Sequence, residues 1–260
     1  MVWNCLIVVL IVVVPLAAYL KKALNLTASI IAALMIAVSL SAAAHYAFFI
    51  ITAFLLISVL DKICHSRLQA ANNDITQKSG TRDSIQVLVN GGISMICVLL
   101  WHLTNNDCFL LCFASSLIES FGDSAASNIG IAAKQQAYDI CRFKKITTGL
   151  SGGVSLVGTL GCFASCTLMS IIAYALRVAK TPFEMCILVI TSFLGCILDS
   201  VIGSLFQRKN KCLVCGKITE KNTHCNKGTI FYSGVKWINN DVVNLLCNAF
   251  SAATALLLIG

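Results

Sequence analysis

Residues 183–206 read FEMCILVITSFLGCILDSVIGSLF, and this stretch decides the class of fold. Only Glu184 and Asp199 carry a charge within it. A helix needs about 20 mostly apolar residues to cross the hydrocarbon core of a bilayer. In hydrocarbon every backbone N–H and C=O must find its partner within the protein. A continuous apolar run of this length therefore predicts a membrane-spanning α-helix.

The rest of the chain repeats this pattern. It is 58% hydrophobic and 12% charged, whereas soluble domains carry about 25% charged residues. We predict an all-α, polytopic membrane bundle in one domain over residues 1–260, with the second and third spans forming a tight hairpin. About eight spans are expected, at 4–20, 25–43, 46–61, 86–103, 108–131, 150–176, 183–206 and 240–259.

The basic residues predict how the bundle is oriented. The loops after spans one, three, five and seven hold 17 of the 19 Lys and Arg residues, Lys78 among them, and the other face holds only Arg177 and Lys180. Short cytoplasmic loops are enriched in Lys and Arg. We therefore expect the long loops in the cytoplasm and both termini on the other side. This distribution accounts for the net charge of +8 without a nucleic-acid partner.

The loop at 207–239 contains a metal-binding pattern, Cys212-x2-Cys215-x8-His224-Cys225. A CxxC pair followed by two further ligands is typical of a structural Cys3His zinc site. Free thiols without a metal are the alternative. Most of the other cysteines, out of 14 in the chain, lie in apolar segments. There a cysteine behaves as a small hydrophobe, so no disulfide framework is expected.

Carboxylates gather at the same end of several spans. Asp123 and Asp199 lie toward the cytoplasmic ends of spans five and seven, and Asp241 opens span eight from that side. Carboxylates at membrane depth are costly and are usually functional or paired. Asp123 and Asp199 could share Mg²⁺, which takes one or two carboxylates and completes its shell with phosphate and water. Tight helix packing, with Asp123 bonded to a neighbour, is the alternative.

Polar amides and a glycine-rich stretch lie at the same depth. Gln86 and Asn90 begin span four, and Asn240 and Asn244 share one face at the start of span eight because they are four residues apart. Basic residues leading into glycines and hydroxyls at a helix start suit an anion, although a basic anchor before a packing helix has the same composition. The candidate phosphate-binding residues are Arg142, Lys144, Lys145, Gly149, Ser151, Gly152, Gly153 and Ser155.

These motifs together resemble the transmembrane protein 19 family, which includes the phytyl-phosphate kinases of plants and cyanobacteria. The resemblance rests on five segments: 82–91, 122–130, 148–158, 199–207 and 240–244. The first of them adds Arg82, with Gln86 and Asn90, to the expected nucleotide-binding residues. In one place the chain departs from the family pattern, since Asn128 replaces the glutamate of Ser-Glu-Ile-Gly and removes a carboxylate.

The resemblance implies phosphoryl transfer from a nucleoside triphosphate, CTP or ATP, to an isoprenoid monophosphate, with Mg²⁺ as cofactor. The expected partners are the bilayer, the isoprenoid phosphate and the nucleotide, while the oligomeric state is left open. Asp123, Asp199, Asp241, Asn240 and Asn244 would carry the chemistry. Two other classes fit the same residues: a transporter with intramembrane carboxylates, and a non-catalytic membrane scaffold that docks partners through the zinc loop.

Overall fold

The computed structural model describes residues 2–72, 75 and 80–259, so Lys78 lies outside the described residues. The described chain forms eight helices joined by loops that contain short strands. The helices are α1 (Val2–Leu20), α2 (Leu26–Ala42), α3 (Ala44–Asn72), α4 (Ser84–Thr104), α5 (Cys108–Ala132), α6 (Leu156–Ala175), α7 (Pro182–Leu205) and α8 (Asn240–Ile259).

The helical class is confirmed, but among the described residues six of the eight expected spans, rather than all eight, are long and apolar enough to cross a membrane, and two boundaries change. Helices α3 to α8 are long and apolar enough to cross a membrane, whereas α2 and the part of α1 from Ile11 to Leu20 are shorter apolar helices. The third helix continues well past the predicted end at residue 61. The sixth begins at Leu156 rather than at 150, because Gly149 and Gly152 adopt positive φ angles of 91° and 82°.

Helix α5 is the centre of the bundle and packs against α3, α4, α6, α7 and α8. It has the lowest mean hydropathy of the six candidate spans, 1.2, and the largest buried share, 67%. The low hydropathy is compatible with the high burial, because a polar helix is tolerated at membrane depth when neighbouring helices separate it from lipid. The most polar span is therefore the one that carries side chains into the protein interior.

The loops that were predicted to share a face do contact one another, and we call their side of the bundle the loop end. The backbone of Arg82 exchanges hydrogen bonds with Ala23 and Asn25 of the first loop. The carbonyl of Ile75 accepts hydrogen bonds from Thr219 and Glu220 of the last long loop. The last long loop also contacts the loop before α6, because Glu220 accepts from the backbone N–H of Ser151. The loop end is thus one continuous assembly built from four separate stretches of chain.

Two small antiparallel sheets lie in these loops, and the hydropathy pattern predicted neither of them. The strands β1 (Ala137–Asp139), β2 (Lys145–Ile146) and β3 (Gly153–Val154) form a sheet in the order β2-β1-β3. The strands β4 (Lys209–Cys212), β5 (Ile218–Thr219), β6 (Thr223–His224) and β7 (Lys227–Ser233) form a second sheet in the order β5-β4-β7-β6. Most of these strands have two or three residues, too few for a period-two pattern to stand out.

Candidate functional site

A cavity of about 300 Å³ opens at the loop end, among α4 to α8 and the loops that cover them. It brings together most of the residues that the sequence singled out. The predicted residues that line it are Arg82, Gln86, Asn90, Asp123, Gly149, Ser151, Gly152, Gly153, Ser155, Asp199, Asn240, Asp241 and Asn244.

The cavity wall is acidic. It carries the carboxylates of Asp123, Asp199, Glu220 and Asp241, while Arg82 is the only Lys or Arg among the described lining residues. Asp199 Oδ2 is buried and has no hydrogen-bond partner in the described part of the chain. A buried carboxylate oxygen without a partner is costly. Such an atom in the wall of a cavity suits a ligand that arrives from outside the chain.

The carboxylates are distributed around the wall rather than gathered at one point. Among the described residues, no three of the cavity's acidic groups place their oxygens within 4.8 Å of one another. Mg²⁺ differs from Ca²⁺ in this respect, since it commonly uses one or two protein carboxylates and leaves the rest of its shell to water and phosphate. The donor set of Asp123 and Asp199 therefore fits Mg²⁺ shared with a phosphate ligand.

Amide side chains connect the cavity to the bundle interior. Asn244 Nδ2 donates to Asn90 Oδ1 at 3.1 Å, which joins two predicted site residues from α8 and α4. One helical turn deeper, Asn248 donates to the carbonyl of Val89 at 3.2 Å and to Ser120 Oγ at 3.0 Å. Asn248 was not among the residues predicted from the sequence, although its spacing of four from Asn244 places it on the same face of α8.

The glycine-rich loop approaches α7 more closely than any side chain would allow. A Cβ on Gly152 would lie 2.4 Å from the backbone nitrogen of Ser204, and Gly152 has a positive φ angle. Both features require glycine. The loop is therefore held against the end of α7, where its backbone forms one wall of the cavity.

Glu220 is a residue of the cavity wall that the sequence did not reveal. Its carboxylate accepts hydrogen bonds from the backbone N–H of Ser151, at 2.9 Å, and from the Ser151 hydroxyl. Burial raises the pKa of Glu220, and the Ser151 bonds oppose that effect. In the structure, Ser151 of the glycine-rich loop thus donates to a carboxylate of the protein itself.

Three predicted phosphate-binding residues do not line the cavity. Arg142 pairs with Asp139, with 3.8 Å between Nη1 and Oδ2, while Lys144 and Lys145 are exposed to solvent. The prediction assumed that residues close in sequence to the glycines would also be close in space. Instead β1 and β2 pair as a hairpin and carry these cations outward.

Asn128, the departure from the family pattern, lies in the cavity wall beside a carboxylate of another helix. Its Nδ2 donates to Asp61 Oδ1 at 2.6 Å, and Asp61 Oδ2 accepts from Arg82 Nη2 at 3.2 Å. Asp61 belongs to α3 and is the last residue of the predicted third span. Position 128 therefore supplies an amide donor to Asp61 rather than a carboxylate to the cavity.

An apolar groove adjoins the acidic cavity. It has a volume of about 70 Å³ and lies among α2, α3, α4 and α5, where Met35, Ile57 and Met95 contribute to its wall. Arg82, Gln86, Asn90 and Ser124 line both the groove and the cavity. A molecule with an anionic head and a hydrocarbon tail could therefore occupy both at once.

The four predicted zinc ligands converge at the tip of the second sheet. All their ligand atoms lie within 4.8 Å of one another, and His224 Nδ1 is 3.5 Å from Cys215 Sγ and 3.2 Å from Cys225 Sγ. Backbone N–H groups of Cys215 and Val214 lower the pKa of Cys212 to about 6, which favours the thiolate that binds metal. The donor set fits structural zinc.

The second sheet with its four ligands, which we call the knuckle, contributes Glu220 to the cavity wall. Strand β5 lies between the two ligand pairs, and Glu220 follows it directly. Thr219 Oγ1 donates to the carbonyl of Ile75 at 2.9 Å, which fixes the strand to the rest of the loop end. The fold of the knuckle thereby determines where the Glu220 carboxylate lies.

Comparison with known proteins gives a family match. The model of the family described as "Integral membrane protein DUF92" matches residues 8–252, which is most of the chain. No solved structure matches it.

Two curated relatives come from Arabidopsis thaliana. "Protein VTE6, chloroplastic" is 27% identical over 217 residues, covering 81% of this chain and 58% of that protein. "Protein PGR" is 25% identical over 253 residues, covering 88% of this chain and 86% of that protein. The chain thus spans less than two thirds of the length of the first of these relatives.

Proposed function

The chain belongs to the DUF92 family of integral membrane proteins, and from that premise we propose that it is a membrane kinase that phosphorylates an isoprenoid monophosphate. The donor would be a nucleoside triphosphate, CTP or ATP. The observation that carries the proposal is the shared wall between the acidic cavity and the apolar groove. The phosphate of an isoprenoid phosphate would lie in the polar cavity, and its hydrocarbon tail would lie in the apolar groove.

The charge of the cavity argues that phosphates enter with a divalent cation. Four carboxylates and one guanidinium would repel a triphosphate at close range. Asp123 and Asp199 would hold Mg²⁺, which neutralises phosphate charge and aligns donor and acceptor. Asp199 Oδ2 has no partner among the described residues, so binding a cation would break no hydrogen bond of this atom.

The remaining lining residues would position the two substrates. Arg82 lies where cavity and groove meet, so its guanidinium can bind the phosphate of a lipid whose tail lies between α3 and α4. Asp61 accepts from Arg82 and holds its side chain in that place. A phosphate oxygen is already nucleophilic, so no strong general base is required and catalysis rests on positioning and electrostatics.

The loop end would face the cytoplasm, where nucleoside triphosphates are available. This placement rests on the 17 basic residues of its loops. Structural zinc at Cys212, Cys215, His224 and Cys225 would stabilise the second sheet and keep Glu220 against Ser151.

The test is a phosphoryl-transfer assay on the purified chain in detergent, with Mg²⁺, ATP or CTP, and short-chain isoprenyl monophosphates. We expect an isoprenyl diphosphate product and at least a hundredfold loss of turnover in Asp123→Asn and Asp199→Asn. Asp107→Asn, at the opposite end of the bundle, is the matched control and should keep full activity. No product with any nucleotide, together with substrate uptake by proteoliposomes, would instead identify a transporter.

A further inference from the structure

Three cysteines of the transmembrane bundle meet beneath the acidic cavity, apart from the zinc knuckle. Cys162 and Cys166 lie one turn apart on α6, and Cys196 faces them from α7. All three are free and buried, and their sulfur atoms lie within 4.8 Å of one another. In the described part of the chain, the zinc knuckle is the only other group of ligand side chains gathered this closely.

Space for these sulfur atoms is created by a glycine on the central helix. A Cβ on Gly122 would lie 2.6 Å from Cys166 Sγ, 3.1 Å from Cys196 Sγ and 3.7 Å from Cys162 Sγ. The three thiols therefore converge on one point of α5, immediately before Asp123. Cys196 Sγ also donates to the carbonyl of Glu119 at 3.5 Å, which fixes its orientation toward the other two.

The cluster can be reached from the cavity. Cys162 and Cys196 both line the cavity wall, while Cys166 lies behind them. An ion that enters the cavity thus reaches Cys162 and Cys196 first. The thiol of Cys166 lies one helical turn deeper. Buried cysteines that serve only as small hydrophobes, such as Cys97 on α4, line neither this cavity nor the apolar groove.

We propose that Cys162, Cys166 and Cys196 form a binding site for one thiophilic metal ion of the Cu⁺, Zn²⁺ and Cd²⁺ class. Sulfur ligands select such soft ions and disfavour Mg²⁺, which prefers oxygen. A tetrahedral zinc with bonds of about 2.3 Å to sulfur holds its ligands about 3.8 Å apart, so a small contraction of the cluster suffices. Each thiol that binds releases its proton to water in the cavity.

The site is independent of the kinase activity proposed above. It would leave a coordination position open toward the cavity, because three protein ligands surround the ion from the bundle side. The cavity would then offer two kinds of metal site a short distance apart, one of carboxylate oxygens and one of thiolates. Their donor atoms, rather than their positions, would decide which ion each one takes.

Cadmium binding to the full-length chain in detergent tests this, with Cd²⁺ measured by elemental analysis and by thiolate-to-cadmium absorption in the ultraviolet. We expect about two thiolate-bound Cd²⁺ per wild-type chain, one in the knuckle and one in the bundle. Cys166→Ser should bind about one, Cys212→Ser about one, and the matched control Cys97→Ser about two. One ion in the wild-type chain, or two in Cys166→Ser, would overturn the proposal.

A second measurement needs no variant, in case Cys166→Ser does not fold. Maleimide labelling of the wild-type protein, read by mass spectrometry, reports how accessible Cys162 and Cys196 are. Cd²⁺ should slow their labelling at least tenfold while the labelling of Cys186, exposed at the other end of α7, is unchanged. Equal labelling rates with and without Cd²⁺ would contradict a metal site in the bundle.

Discussion

The two ends of the bundle use carboxylates in opposite ways. At the end away from the long loops, Asp107 accepts from Lys180 Nζ at 2.6 Å and from Trp101 Nε1 at 3.1 Å. More than half of each side chain in the Asp107–Lys180 pair is exposed. At the loop end, Asp199 is held in a cavity wall and its Oδ2 atom has no partner among the described residues.

Asp107 is thus a structural carboxylate, whereas Asp199 remains available to bind a ligand. An exposed ion pair contributes about 0–1 kcal/mol and is satisfied by its partner and by water. A carboxylate oxygen that is buried without a partner destabilises the fold, so retaining Asp199 in this position implies compensation by function. Both kinds look alike in the sequence, since each is an acidic residue near the end of an apolar span.

The largest expected effect comes from neutralising one carboxylate at each end. Asp199→Asn should lose at least a hundredfold in turnover while its Tm in Mg²⁺-free buffer stays equal or rises by a few degrees, because a buried charge is removed. Asp107→Asn should keep its turnover and lose less than about 1 kcal/mol of stability. Thermal unfolding and kinase assays on the two variants check this, and a lower Tm in Asp199→Asn with activity intact would contradict it.

Removal of the knuckle metal should have the next largest effect. Without the proposed zinc, β5 would keep only its hydrogen bonds to β4 and Ile75, and Glu220 would hold the Ser151 loop less firmly, so we expect turnover to fall about tenfold. Cys215→Ser should reproduce the loss caused by a zinc chelator, whereas Cys186→Ser, at the opposite end, should not. Metal content and turnover measured on the same samples test this, and full activity in metal-free protein would show that the knuckle is not part of the site.

A third prediction concerns the apolar groove and compares substitutions at two neighbouring residues of α4. Met95 lines the groove, whereas Ile96, the next residue, is exposed on the outer face of α4. Met95→Trp should fill the groove and raise KM for a long-chain isoprenyl phosphate several-fold without changing KM for the nucleotide. Ile96→Trp should change neither constant. Equal KM values for Met95→Trp and the wild type would place the lipid tail elsewhere.

The smallest effect is a pH dependence of opposite sign at the two ends. Burial raises the pKa of Glu220 above its ordinary value of 4.5, so its contribution to stability is present at low pH and is lost as the pH rises through the folded pKa. The hydrogen bond from Lys180 lowers the pKa of Asp107 below 3.8, so its contribution is lost as the pH falls through the folded pKa.

Thermal unfolding across pH 2 to 8 measures both contributions. Glu220→Gln should flatten the decline of Tm from about pH 4.5 upward, by a few degrees at most. Asp107→Asn should change the curve only at its acidic limit, and by less, because its partner is exposed. A Glu220→Gln curve parallel to that of the wild type would show that this carboxylate titrates normally.

Most of the cavity could be predicted because its residues occupy equivalent depths in successive spans. Asp123, Asp199 and Asn244 each lie near the loop end of an apolar helix, and the alternation of spans brings those ends together. Arg142, Lys144 and Lys145 were predicted to line the cavity but lie outside it. They belong to a hairpin that is too short to be recognised in the sequence. Glu220 was missed because its burial depends on the fold of the knuckle, which carries no hydropathy signal.

The sequence by itself determined the helical class, the grouping of the long loops at one end and the ligand set of the knuckle. These follow from hydropathy and spacing, which are local properties of the chain. Only the tertiary structure decided that Glu220 meets Ser151, that Asp61 meets Asn128, that an apolar groove adjoins the cavity and that three thiols converge on Gly122. Each of these contacts joins helices or loops distant in sequence, and their rotation and packing are set by the whole bundle.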